Sequence, residues 1–213
     1  MNKTFGIHPS EKLQSIYEKH PYQIQCPEQA KIIFLSLDAN FDINIERNSS
    51  YFDETLRYLS DGVKYWENEK IHTPMRKYYY KGNGKRYHEQ FAKLGLTSDI
   101  AKDICFLELL NICTYGSSTT PEGKKEYLEL LQREENKIHL KRIANLAKDK
   151  KKLIVIVGSN TKKYILKLNL FDLTAENIII CNHFSSAITD DYLYKLGNII
   201  HTFLTTNTLS SKK

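Results

Sequence analysis

A chain of 213 residues is long enough for one domain with a real core, since single domains commonly run to about 200 residues. No Gly/Ser-rich or Pro-rich linker divides it, so residues 1–213 are read as a single domain. Lysine and arginine outnumber aspartate and glutamate by 31 to 25, a formal charge of +6 that admits polyanionic partners without requiring them.

The chain has no run of about 18 apolar residues, which argues against a membrane-spanning helix, and the opening MNKTFGIHPSEK lacks an apolar signal core. A soluble, cytoplasmic protein without membrane contact is expected. The four cysteines, Cys26, Cys105, Cys113 and Cys181, contain no C-x-x-C pair. They read as reduced, buried thiols and not as disulfides or metal ligands.

Residues 1–30 read as an N-terminal helical segment in which Ser10 caps a helix to about His20, with Leu13, Ile16 and Tyr17 on one face. In KIIFLSLDANFD, residues 31–42, the apolar run Ile32 to Leu35 has the pattern of a strand buried on both faces, as in a parallel sheet covered by helices. Asp38 stands just past its end, with Asn40 and Asp42 in the turn. Taken alone, such an aspartate more often serves its own turn. Ser49 or Ser50 can cap a helix in which Phe52, Leu56, Leu59, Val63 and Trp66 recur at spacings of four and three. That stripe is core by default, but Tyr51 or Phe52 near its start could face a pocket.

The stretch HTPMRKYYYKGNGKRYHEQF, residues 72–91, joins the tyrosines Tyr78 to Tyr80 to a loop with Gly82 and Gly84, flanked by Lys77, Lys81, Lys85 and Arg86. Basic groups, exposed backbone N–H groups and stacking rings suit a phosphate backbone and unpaired bases. The same composition also describes a solvated basic loop before a helix carrying Tyr87, Phe91 and Leu94. No Walker or dinucleotide glycine fingerprint is present, because G-x-G-K here follows no clear strand and lacks the full spacing.

A second strand is expected in ICFLELLN, residues 104–111, followed by ICTYGSST. A long helical region starts near Pro121 and ends in the basic run 148–152. KLIVIVGSN, residues 152–160, is a third strand and NIIICNHFSS, residues 177–186, a fourth. A last helix begins near Thr189, with Tyr192, Leu193, Leu196, Ile199, Ile200 and Phe203 apolar, and residues 206–213 read as a frayed tail. Four buried strands separated by helices predict a three-layer α/β/α sandwich around a central four-stranded parallel sheet.

In such a sheet ligands bind beyond the carboxyl ends of the strands. Those ends carry Asp38, Asn111, Ser159 with Asn160, and His183 with Ser185. The set is a carboxylate, amides, an imidazole and hydroxyls. It includes no cysteine nucleophile and no second acid to hold a metal.

The order and spacing of these strand-end motifs resemble the uracil-DNA glycosylase superfamily, over residues 30 to 205. SLDAN, residues 36–40, is similar to the family's Gly-x-(Asp/Asn)-Pro-(Tyr/Gly), LLN at 109–111 to its Leu-Leu-Asn, VGSN at 157–160 to its Gly-Ser-His, and HFSS at 183–186 to its His-Pro-Ser-Pro. Ser36, Ala39 and Asn40 depart from the first motif, and Phe184 and Ser186 replace both prolines of the last. The early C-x-x-C pair of the iron–sulfur members is missing, and Ala187 and Ile188 occupy the region of the family's base-stack-inserting Leu.

The resemblance implies sheet order 2-1-3-4 and a monomeric, cofactor-free DNA glycosylase acting on DNA that carries uracil or a related damaged base. Such an enzyme extrudes the base, stacks it on a ring and reads its edge. Asp38 would take the catalytic carboxylate position, stabilising the cationic sugar and orienting water, and His183 would donate to the base oxygen. Asn111 would read the base edge, selecting uracil over cytosine, with Asn40 beside it and Phe52, Tyr51 or Phe41 as the stacking ring. Ser185, Ser186 and Ser159 would meet phosphates, joined by the basic Lys81, Lys85 and Arg86. The departures leave one alternative, a glycosylase-fold module that binds nucleic acid or a nucleotide without chemistry.

Overall fold

The computed structural model describes residues 4–78 and 84–206. In chain order its elements are β1 (Phe5–Ile7), α1 (Glu11–Lys19), β2 (Gln23–Ile24), β3 (Ile32–Ser36), β4 (Ala39–Asn40), α2 (Ser49–Ser60), α3 (Gly62–Glu69) and α4 (Lys85–Ala92). There follow β5 (Ile104–Glu108), β6 (Cys113–Gly116), α5 (Pro121–Leu131), α6 (Glu134–Lys148), β7 (Leu153–Val157), α7 (Ser159–Leu168), β8 (Ile178–Cys181) and α8 (Asp190–Thr206).

The continuous apolar runs are the strands of a mixed sheet with order β2-β5-β3-β7-β8. Strands β5, β3, β7 and β8 pair in parallel, and β2 lies antiparallel on the edge beside β5. The sheet is therefore five-stranded and partly antiparallel, where the sequence predicts four strands, all parallel. A second sheet of order β1-β6-β4, with β1 antiparallel and β4 parallel to β6, has no counterpart in the expectation. Residues 1–30 likewise supply two strands besides their helix. Strands of two to four residues are too short to display a clear period of two, so no pattern announces them.

Within each long strand, alternate side chains enter different cores, as the pleat requires. Ile32 and Phe34 of β3, Ile104 and Phe106 of β5, and Leu153, Val155 and Val157 of β7 pack with Tyr17, Tyr58, Trp66, Phe91, Leu193 and Phe203. Ile33 and Leu35, Cys105 and Leu107, and Ile154 and Ile156 pack on the other face with Tyr127, Leu130, Leu140, Ile143 and Ile165. Helices α1 to α4 and α8 thus cover one face and α5 to α7 the other. Each fully buried aliphatic or aromatic side chain contributes on the order of 1.5–3 kcal/mol.

Ser10 caps α1, its Oγ accepting the Leu13 N–H at 3.3 Å. The apolar stripe from Phe52 to Trp66 is not one helix. Asp61, with φ −153° and ψ 80°, ends α2 and caps α3 by accepting the Lys64 N–H at 3.0 Å. The break seats Gly62 against the edge strand, where an added Cβ would lie 2.5 Å from the Ile24 Cα. The region after Pro121 is also two helices, α5 and α6. All four cysteines are free, three buried and Cys26 half-buried. Among the described residues no helix is long and apolar enough to cross a membrane.

Candidate active site

A cleft of about 540 Å³ opens beyond the carboxyl ends of β3, β5, β7 and β8. Of the residues singled out in the sequence, Asp38, Asn40, Phe41, Tyr51, Ser159, His183, Ser185 and Ser186 line it. Asn111 and Phe52 do not.

Asp38 is held by the small sheet. Pairing of β4 with β6 sets Asn40 opposite Thr114, and both side chains turn to the Asp38 carboxylate. Thr114 Oγ1 donates to Oδ2 at 2.5 Å and Asn40 Nδ2 at 3.2 Å. Burial raises the Asp38 pKa above the ordinary aspartate value, and these two hydrogen bonds oppose the rise.

His183 lies in a tight turn just past β8. Its Nδ1 accepts the Ser185 N–H at 3.2 Å and its carbonyl accepts the Ser186 N–H at 2.8 Å. With Nδ1 accepting, the neutral ring carries its proton on Nε2. Desolvation lowers its pKa and favours this neutral form. Gly158, at φ +90°, runs directly beneath the ring, and an added Cβ would come within 3.1 Å of the His183 Cβ. A glycine there answers both the close approach and the left-handed backbone. It is followed by the first turn of α7, whose Ser159, Asn160 and Thr161 face the cleft.

The expectation for β5 needs correction. The strand stops at Glu108, and the chain then buries Leu109 and Leu110 in the core on the far face. Asn111 emerges beside α6, where its N–H donates to Asn136 Oδ1 at 3.0 Å. The strand-end group in the cleft is Glu108, register partner of Ser36 and 4% exposed. A second acid therefore does join Asp38, contrary to the expectation.

Glu108 sits in a polar network at the cleft floor. Gln23 Nε2 donates to its Oε1 at 2.9 Å and to the Tyr17 hydroxyl at 3.1 Å, while the Tyr58 hydroxyl donates to Gln23 Oε1 at 2.9 Å. The Tyr17 hydroxyl lies 3.5 Å from Oε2. Burial, reinforced by the Asp38 charge, pushes the Glu108 carboxyl up to about 8. A sequence signal existed: a lone acid inside a run that otherwise reads as a two-face-buried strand, since glutamate is almost never fully buried without a purpose or a partner.

Phe41, Tyr51, Tyr58, Tyr87 and Phe106 give the cleft its aromatic lining. Tyr87, which the sequence reading left to a helix core, meets the His183 ring edge-on at 5.4 Å. Phe52 is instead a core residue, with Lys12 Nζ 5.7 Å from its ring. Behind Tyr87, His72 and His88 form a buried pair at 3.0 Å, both with pKa values depressed by burial, His88 to about 3.

Of the basic residues, Arg86 is at the rim, its Nη2 donating to the Ser186 carbonyl at 3.3 Å. Lys85 lines an adjoining recess of about 200 Å³ with Phe41, Tyr51, Met75 and Tyr115, and pairs with Glu89 at 3.7 Å. Lys81, with Tyr79, Tyr80 and Gly82, lies outside the described residues. Among the described residues no three His, Cys, Asp or Glu side chains are grouped to hold a metal.

Compared with protein-family models, with curated proteins and with solved structures, the chain matches none.

Proposed function

We propose that the chain is a monofunctional DNA glycosylase that hydrolyses the N-glycosidic bond of uracil or a related damaged base. The observation that carries this reading is the facing of Asp38 and His183 into one aromatic-lined cleft beyond the strand ends. A carboxylate anchored by Thr114 and Asn40 stands where positive charge on a sugar could be met, and an imidazole with its N–H on Nε2 stands where a departing base could be met.

In the step envisaged, the bond from the sugar carbon to the base nitrogen breaks with its electron pair going to the base. Asp38 stabilises the cationic sugar and orients water, whose hydroxyl bonds to the sugar carbon and whose proton ends on the released base. The His183 Nε2–H stabilises negative charge on the base oxygen. Such preorganised groups act mainly on the transition state. Tyr51, Phe41 and Tyr87 offer stacking surfaces, and Ser185, Ser186, Ser159 and Arg86 at the rim suit DNA phosphates.

The test is incubation with oligonucleotides carrying uracil, hypoxanthine, xanthine or a thymine mismatch, followed by alkali cleavage at abasic sites. Cleavage at one lesion that wild type produces and Asp38→Asn loses supports the reading. DNA binding without base release from any lesion returns the chain to a glycosylase-fold module that binds without chemistry.

A further inference from the structure

The floor of the cleft carries a function that the strand-end motifs do not assign. We propose that Glu108 reads the extruded base, its carboxyl offering one donor and one acceptor to a base edge that carries one of each side by side. The inference rests on the base-releasing reading of the cleft, and it names the class of base: one with a lactam or amidine edge, unmodified at the ring nitrogen.

Three observations converge on it. Glu108 is the last residue of β5, and its register partner across the sheet is Ser36 of the strand that leads to Asp38, so both acids line the same cleft. Its orientation is fixed from behind, because Gln23 uses its amide protons on Glu108 and Tyr17 and its carbonyl on Tyr58. That arrangement occupies Oε1 and leaves Oε2 with only the distant Tyr17 hydroxyl at 3.5 Å. Finally, two carboxyls share this cleft, and among the described residues no cation forms an ion pair with either. Burial and the mutual repulsion of two like charges both favour one of them keeping its proton.

A carboxyl that keeps its proton has an O–H donor and a C=O acceptor, the same pair an amide presents. Ionised, it has only acceptors and repels the acceptor of such an edge. The titratable groups whose charge couples to Glu108 are Tyr17 of α1, Tyr58 of α2, Tyr87 of α4, Asp38 and Cys113 of β6 and, across the sheet, Tyr127 of α5 and Cys105 of its own strand. Burial raises the tyrosines and thiols above their ordinary values, which leaves the two acids to titrate below pH 9. His139 of α6 touches only the Glu108 carbonyl, at 2.8 Å. The carboxyl, pushed up to about 8, is the one that stays protonated at neutral pH.

The test is calorimetric titration of the wild-type chain and of Glu108→Gln with 1-methyluracil, 1,3-dimethyluracil and adenine at pH 7 and pH 9, beside base release from the lesion oligonucleotides. Wild type should bind 1-methyluracil and adenine, and 1,3-dimethyluracil at least ~10-fold more weakly, because the second methyl removes the last N–H donor of the ring. Adenine, whose edge does not titrate in this range, should bind ~10-fold more weakly at pH 9 than at pH 7. Glu108→Gln, which keeps donor and acceptor at every pH, should bind adenine equally at both.

Equal wild-type binding of adenine at the two pH values, or equal binding of 1-methyluracil and 1,3-dimethyluracil, overturns the assignment without any variant. Base binding that depends on Glu108, with no release from any lesion, ends the hydrolase reading and leaves the edge-reading role. Base release that is indifferent to Glu108→Gln at every pH ends the edge-reading role and leaves the hydrolase.

Discussion

The two faces of the large sheet are built from the same strands and differ in chemistry. The face under α5 to α7 is almost wholly aliphatic, filled by Ile33, Leu35, Leu107, Ile154, Ile156, Leu130 and Ile143. The face toward the cleft is aromatic and polar: Phe34, Phe91, Phe106 and Phe184 interlock at ring separations of 4.9 to 6.2 Å. Beside them are His72, His88, Tyr17, Tyr58 and Glu108. The contrast teaches a division of labour within one pleat. Mostly aliphatic packing supplies stability with few polar groups to satisfy, Asn136 and His139 of α6 among them, and it leaves the other face to hold a denser set of buried titratable groups at a net cost.

The sharpest way to break this contrast is a pair of substitutions, one for each face. Ile156→Ala, fully buried on the aliphatic side, should cost ~2–5 kcal/mol of stability and leave base release per folded molecule unchanged. Asp38→Asn should shift the melting temperature little, since the amide is isosteric, and should slow single-turnover base release ~100-fold or more. Equal loss of release in both variants would mean that the faces are not functionally separate.

The pH dependence of stability tests the same contrast from the cleft side. Glu108 has a folded pKa of about 8 against an ordinary 4.5, so between those values the folded state holds a proton that the unfolded chain has lost. Stability therefore falls as pH rises through that window, by up to ~5 kcal/mol, and the raised Asp38 adds to the fall. Glu108→Gln should flatten this limb in denaturant titrations between pH 5 and pH 9. His72 and His88 on the cleft side, and His139 of α6 on the far face at about 4, have the opposite sign. The unfolded chain takes up their protons first, so stability is lost as pH falls below about 6.5 toward 3. A stability difference between wild type and Glu108→Gln that does not vary between pH 5 and pH 8 would remove the burial argument for Glu108.

How much of this was legible in the sequence follows from the pleat. The strand cores were, because runs such as Ile32 to Leu35 and Leu153 to Val157 are long enough to show burial on both faces. The positions of Asp38 and His183 on one cleft were also legible, since each lies just past a strand end. Asn111 misled because the apolar run ICFLELLN reads as one strand to its end, whereas the strand stops at Glu108. Phe106 faces the cleft side, so Glu108, two residues on, does too, and the two leucines that follow are buried on the far face. The edge strand that brings Gln23 to Glu108 was hidden, having only two residues. The helix break at Asp61 was masked by an apolar stripe whose spacing continues across it.

Gly158→Ala offers a smaller effect that falls on site and fold together. At φ +90° an alanine is strained, and its Cβ would press on the His183 Cβ at 3.1 Å. A stability loss of ~1–2 kcal/mol is expected. Base release should fall further than stability explains, ~10-fold, because displacing the imidazole disturbs reacting geometry. Thermal melts beside single-turnover rates separate the two, and an unchanged rate would show that His183 does not depend on the glycine beneath it.

The smallest effect is expected at the rim, where Arg86 is exposed and contributes its charge without belonging to either core. Arg86→Ala should leave the melting temperature and the free-base affinity unchanged, because among the described residues Arg86 is hydrogen-bonded only to the exposed Ser186 carbonyl. Its consequence is electrostatic. Each phosphate neutralised by a side chain releases condensed counterions, so losing one contact should reduce the slope of log affinity against log salt by about 0.7–0.9, whatever the DNA sequence. Filter-binding or anisotropy titrations from low to moderate salt read this slope directly. A slope unchanged in Arg86→Ala would move the DNA path away from the His183 turn. A reduced slope together with a lost preference for the lesion would mean that Arg86 contacts the base, and would extend the polar face of the contrast from the cleft floor to its rim.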